Sequence, residues 1–284
     1  MRYYIYAIII LFFSCKQKSA DNNVHANSLT GLSKKTSHTI EGDTIVSDRQ
    51  IIESDTVNGD TIKILSRVER DTTNDARFII EGECVDGSIT ANDTKYAWKG
   101  FFEQKGQFYL KDAKVKVKFM PETVSDENTE GNYMVKTDNK DPSILLVANL
   151  PDLINGPVKK INFDDQIIPG KPRTFYYNNN QYTFYATGHV PEGQDMSYVK
   201  DYNLYITGKA KGYYFKQLLV HNDFYDSGFP TSIDFIGDVD KDGIPDLIIN
   251  SSNYGEGGWW TLFLSKSAGP KRLLVMVGGY GTAD

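Results

Sequence analysis

Cysteine and histidine are scarce in this chain, two and four among 284 residues. Cys15 and Cys84 have neither metal-ligand nor redox spacing, so the chain is not organised around thiol chemistry. His25 and His38 stand in a polar stretch, and His189 and His221 have no serine or acidic pattern beside them; all four read as structural or solvated. A G-x-S-x-G elbow is missing. No long helical period of apolar residues is visible, which leaves β structure as the expected class. Positive charge is not clustered. With a formal net charge of −6, the chain is a poor nucleic-acid binder.

What is present begins with an export signal. Residues 1–14, MRYYIYAIIILFFS, hold one arginine and an apolar run too brief and too near the start to be preferred as a spanning helix. Ser14 before Cys15 resembles the lipobox of bacterial lipoproteins, in which the signal is cut off and the cysteine becomes the lipid-modified first residue. Phe12 and Phe13 depart from the residues that family prefers at those positions. An uncleaved signal anchor is the alternative, and both put the protein on a membrane, facing outward. In the lipoprotein family a residue other than aspartate after the cysteine accompanies outer-membrane sorting, and Lys16 stands there. With Cys15 lipidated, Cys84 lacks a partner and no internal disulfide is predicted; without lipid, a Cys15–Cys84 bridge is the alternative. Residues 15–38 are polar and read as a flexible tether, roughly 25 residues with a mean reach on the order of 28 Å.

Two β regions are expected, residues 39–158 and 159–284. In the first, Asp43-Thr44-Ile45, Asp55-Thr56-Val57, Asp60-Thr61-Ile62 and Asp71-Thr72-Thr73 recur. They read as turns opening into strands; alternatively they resemble the acceptor triplets of a bacterial O-glycosylation system. Strands are expected over 77–85, 95–102, 107–110, 114–119, 132–135 and 143–148, rich in β-branched and aromatic residues. In the second region, 173–177 and 181–187 flank three asparagines, and 202–207 and 213–220 flank Gly208–Gly212, two hairpins. Strands at 259–264 and 273–277 follow, and Gly278-Gly279-Tyr280-Gly281 reads as a flexible end. About 210 residues of this kind suffice for antiparallel, sandwich-like sheets with their own core.

The most informative stretch is Asp238-Val239-Asp240-Lys241-Asp242-Gly243-Ile244-Pro245-Asp246, with carboxylates at positions one, three, five and nine and glycine at six. Each carboxylate pair held roughly 5 Å apart repels by about 3 kcal/mol at an effective dielectric near 20, so a folded loop of this kind calls for a cation. The donors are all oxygen, which suits calcium better than magnesium or zinc. The expected ligands are the side chains of Asp238, Asp240, Asp242 and Asp246 and the main-chain carbonyl of Ile244, while Lys241 is expected to face water. Position twelve is Ile249 rather than glutamate and both flanks look like strands, which excludes an EF-hand. Residues 235–249, FIGDVDKDGIPDLII, resemble the calcium loop of the FG-GAP and VCBS repeat families of integrin-type propellers and bacterial surface proteins. That resemblance implies metal-stabilised β structure, often in binding proteins, but no single activity. A solvated acidic turn holding no metal is the bland alternative. With one aspartate ladder in the whole chain, a closed propeller is not expected.

Beside this loop, Asn253–Gly258 leads into Trp259 and Trp260. Neighbouring residues on a strand face opposite ways, so one indole is expected in the core and the other outside. Glu256, Trp259 and Trp260 form a candidate ligand surface. Ser197-Tyr198-Val199-Lys200 fits the S-x-x-K pattern of penicillin-interacting enzymes, but lacks its helix start and companion motifs, and no catalytic residues are assigned. The expectation is a calcium-binding lipoprotein of the cell envelope, a non-catalytic recognition or adhesion module for a protein or glycan. A periplasmic inhibitor or immunity lipoprotein is the alternative, and an envelope hydrolase a weaker one.

Overall fold

Paired glycine, asparagine and lysine residues at positive φ set the tight hairpins. Lys105 and Gly106 (φ 53° and 77°), Asn178 and Asn179 (45° and 63°) and Lys211 and Gly212 (51° and 79°) each place two left-handed residues in a row. That backbone matches the twist of the flanking strands. The computed structural model describes residues 52–57, 60–84, 91–120, 132–163, 166–194, 198–225, 231–251 and 258–281, which belong to one unit spanning Arg49–Asp284. The export signal, the tether and Cys15 lie outside the described residues, as do Glu256 and Ser197.

The described chain is all-β and predominantly antiparallel, in four sheets. The largest runs β1 (Ile52–Val57), β2 (Asp60–Leu65), β14 (Tyr213–Tyr225), β13 (Val199–Ala210), β12 (Asn180–His189), β11 (Arg173–Tyr177). Its β2–β14 pairing is parallel and the rest antiparallel. A five-stranded sheet runs β10 (Gly156–Val158), β6 (Gln107–Ala113), β5 (Trp98–Gln104), β9 (Ser143–Ala148), β3 (Arg77–Ile79). A four-stranded sheet holds β15 (Ser232–Gly237), β16 (Asp246–Asn250), β17 (Trp259–Leu264) and β18 (Val275–Gly281), and a three-stranded sheet holds β4 (Gly82–Cys84), β8 (Asn132–Thr137) and β7 (Val115–Met120). None closes into a barrel or propeller among the described residues.

The four-stranded sheet is buried on both faces. Phe235, Ile248, Leu262, Leu264 and Val275 join Phe101, Phe102 and Leu146 in one core. Ile233, Leu247, Ile249 and Phe263 face the other way and join Tyr182, Phe184, Leu204 and Phe215 of the six-stranded sheet. This explains why Leu247-Ile248-Ile249 is an unbroken apolar run where a half-exposed strand would alternate. Both cores draw on residues from either side of residue 159.

Several local expectations shift. The strand expected from residue 95 starts at Trp98, because Ala91–Lys95 forms a 3-10 turn. Asp93 in that turn is buried, pairs with Arg77 at 2.7 Å and accepts the Trp98 indole N–H on its carbonyl. The glycines at 278–281, expected as a loose end, continue β18 opposite Trp259–Leu262. Asp55–Val57 closes β1, whereas Asp60 opens β2. Asp71 accepts from the backbone and hydroxyl of Thr73, as an Asx turn.

Candidate metal centre

The acidic loop joins β15 to β16 at the end of the doubly buried sheet. Gly243 sits at φ +87°, a conformation a side chain would strain. Lys241 also takes positive φ (61°). Its ammonium donates to the carbonyls of Pro157 and Asp238 at 3.0 and 3.1 Å, and the residue is exposed, as expected.

Asp238, Asp240 and Asp246 each offer a carboxylate oxygen within 4.8 Å of the others, and Asp240 and Asp246 are buried. Asp242 stands outside this group: its Oδ1 accepts from the Ser265 hydroxyl at 2.9 Å and the Ile244 amide at 2.8 Å. Ile244 is partly buried against the core shared with the six-stranded sheet.

The loop's own amides hold the carboxylates in place. Val239 N–H donates to Asp246 Oδ2 at 2.7 Å, Gly243 N–H to Asp238 Oδ2 at 3.0 Å, and Asp242 N–H to Asp238 Oδ1 at 3.1 Å. From the turn after β17, Ser265 N–H donates to Asp246 Oδ1 at 2.8 Å and Lys266 N–H to Asp240 Oδ2 at 3.0 Å. These bonds temper the crowding without removing it. Burial, above all, and the charge of Asp240 hold the Asp246 carboxyl well above the usual range. Burial, then the charges of Asp242 and Asp238, push Asp240 up to about 6 against the pull of the Lys266 and Asp242 amides.

Two further elements enclose the loop. The β11–β12 hairpin touches it through Asn178, whose amide donates to the Gly243 carbonyl at 2.8 Å. On the same hairpin the phenols of Tyr177 and Tyr182 are pushed up to about 12, first by burial. For Tyr177 the charges of Asp238 and Asp246 add to this, and for Tyr182 that of Asp242. From the β13–β14 turn, the Lys211 ammonium donates to the carbonyls of Ser265, Gly269 and Arg272 at 2.6, 2.8 and 3.1 Å. Burial lowers the Lys211 pKa, opposed by the charges of Asp242, Asp240 and Asp246. None of Asn178, Tyr177, Tyr182, Lys211 and Ser265 was assigned to the site by sequence reasoning. They lie 20 to 70 residues away, and only the asparagine triplet carried a local signal, for a turn.

The residues fit calcium. Two oxygens sharing an ion at 2.3–2.6 Å stand at most about 5 Å apart, and the observed oxygens lie within that limit. The Asp238 and Asp240 oxygens accept one N–H each and keep a further lone pair, whereas each Asp246 oxygen already faces two donors.

The tryptophans lie elsewhere on β17. Trp259 is half exposed, its ring covering Gly281, while Trp260 packs on the core and donates its indole N–H to Asp234 Oδ2 at 2.9 Å. Lys200, the lysine of the S-x-x-K match, is exposed on β13, a strand. No protein family, curated protein or solved structure matches this chain.

Proposed function

We propose that this is a calcium-stabilised recognition protein of the bacterial cell envelope, held to the membrane by lipid on Cys15, with no catalysis of its own. The observation that carries the reading is the meeting of the Asp238, Asp240 and Asp246 carboxylates within 4.8 Å at a largely buried corner. Calcium there would join β15, β16 and the turn after β17, and its binding free energy would add to folding stability. Asp238, Asp240 and Asp246 would hold the ion directly, with the Ile244 carbonyl. Asp242, placed on Ser265, would act from further out. The half-exposed Trp259 lying over Gly281 supports a recognition surface, since an indole with one covered and one open face suits a sugar ring or an apolar side chain.

The test is the melting temperature of the purified protein in millimolar calcium and in chelator. A rise of several degrees with calcium is expected, and equal values defeat the metal reading. Labelling cells with a tagged fatty acid tests the anchor: the wild type should be marked and Cys15→Ala spared, and labelling of both refutes the assignment.

A further inference from the structure

The six-stranded sheet carries aromatic residues on both faces, and only one face is covered. Phe175, Phe184, Ile206 and Phe215 enter the core, whereas Tyr176, Tyr185, Tyr205 and Tyr214, on the alternate positions of β11–β14, belong to neither core. Tyr176 is 66% exposed and Tyr214 38%, so both are open to a partner. The register orders this outer face. Thr174, Thr183, Thr207 and Lys216 stand opposite one another on β11, β12, β13 and β14, and the Thr174 and Thr183 hydroxyls are hydrogen-bonded at 2.9 Å. Strand spacing repeats a polar group roughly every 5 Å along that track. To one side lie Tyr176 and Gln181, joined from phenol to side-chain carbonyl at 3.3 Å. To the other, Tyr185 and Tyr205 stack with centroids 5.1 Å apart and planes at 13°. The Lys216 ammonium stands 5.9 and 5.4 Å from those two rings, and among the described residues it has no carboxylate partner. Lys209, in register with Tyr214, is a second cation there.

Charge selects the occupant. In a chain of net charge −6, no aspartate or glutamate holds an outward position on β11–β14 from the Tyr176 row to the Tyr185 row. Glu53 and Asp55 of β1 are in register with Ile64 and Ile62, at the other edge of the sheet. We propose that the outer face of β11–β14 binds an acidic polysaccharide, a sugar chain bearing carboxylates, laid along the threonine track with one carboxylate on Lys216. Sugar hydroxyls exchange hydrogen bonds with threonine, an aromatic ring covers the C–H face of a sugar, and an ammonium pairs with the carboxylate. A protein interface has an apolar centre and a polar rim; here hydroxyls hold the centre and aromatics flank it. A nucleic acid, with a charge roughly every 3.4 Å of each strand, demands more cations than Lys209 and Lys216 supply. The proposal deepens the recognition reading and rests on it, but on neither the calcium nor the Trp259 surface.

Calorimetric titration of the purified protein with oligosaccharides of hyaluronate and of polygalacturonate tests this, with dextran as a neutral sugar and polyglutamate as a polyanion without sugar. Saturable binding of at least one uronate oligosaccharide, and of neither control, is expected. Lys216→Met should weaken the Kd about tenfold and Tyr176→Ala about threefold, while Lys136→Met, an exposed lysine of β8, should leave it unchanged. Tyr176 is exposed, so its variant should keep the wild-type melting temperature and decides the matter should Lys216→Met fail to fold. Binding of neither oligosaccharide overturns the proposal, as does equal binding of polyglutamate, an equal loss in Lys136→Met, or an unchanged Kd in Tyr176→Ala. Sedimentation that shows a wild-type dimer dissolved by Tyr176→Ala would give this face to a second copy and overturn it too. So would an envelope protein captured by the wild type and lost in that variant. Each of these outcomes leaves the metal centre and recognition through Trp259 standing. Conversely, oligosaccharide binding in a protein whose melting temperature ignores calcium defeats the metal reading alone.

Discussion

The side-chain amide of Asn178 donates to the carbonyl of Gly243 at 2.8 Å, so the tip of one hairpin grips the turn glycine of a loop 65 residues further along the chain. The six-stranded sheet thereby supports the acidic corner of its neighbour.

That grip can be measured by comparing two substitutions. Asn178→Ala removes the bond and puts a Cβ without a polar group at φ 45°, whereas Asn178→Gly removes the bond alone. Urea unfolding should show a loss of about 1–2 kcal/mol for alanine and about 0.5–1 kcal/mol for glycine. Equal losses would mean that backbone strain contributes nothing there.

The acidic cluster sets a pH dependence of unusual sign. Asp240 has a folded pKa of about 6 against an ordinary 3.8, so the folded state binds its proton more tightly than the unfolded state. Its stabilising contribution is full below about pH 3.8 and is lost as pH rises to about 6; Asp246, raised further, acts in the same direction. In chelator the protein should be less stable at pH 7 than at pH 4.5. Asp71 and Asp112, whose pKa values are lowered, oppose this only below about 3.8. Saturating calcium should reverse the order, because the ion requires the ionised carboxylates. Thermal melts at both pH values, with and without calcium, decide the matter.

Lys211 holds the turn that supplies Ser265 and Lys266 to the cluster. Lys211→Met keeps most of the apolar stem and strips the carbonyls of Ser265, Gly269 and Arg272 of their shared donor. Equilibrium unfolding should record a loss of about 2–4 kcal/mol. A loss below about 1 kcal/mol would show that water replaces the ammonium without difficulty.

Trp260 and Asp234 form a second polar link within the four-stranded sheet. Because the indole N–H meets a carboxylate at 2.9 Å, a double-mutant cycle of Trp260→Phe and Asp234→Ala should give a coupling of about 1–2 kcal/mol. Coupling near zero would assign Trp260 to apolar packing alone.

Much of the fold was legible because its signals are local. Asparagine and glycine pairs mark the tight turns, and β-branched and aromatic runs mark the strands between them. In the acidic loop the spacing of Asp238, Asp240, Gly243 and Asp246 follows from the needs of one turn. The loop was therefore visible without coordinates, while the place of Asp242 was not: its turn toward Ser265 depends on a strand pairing across the sheet.

By itself the sequence determined that the described chain would be β structure, where its hairpins turn, and which nine residues would crowd carboxylates together. These follow from backbone sterics and from charge at short chain separation. Only the tertiary structure decided that β16 is buried on both faces, that Lys211 and Ser265 brace the corner, and that Tyr182 is buried with its hydroxyl unpaired among the described residues. Those relationships join residues far apart in the chain, and their energies come from packing and burial, which no local pattern of residues encodes.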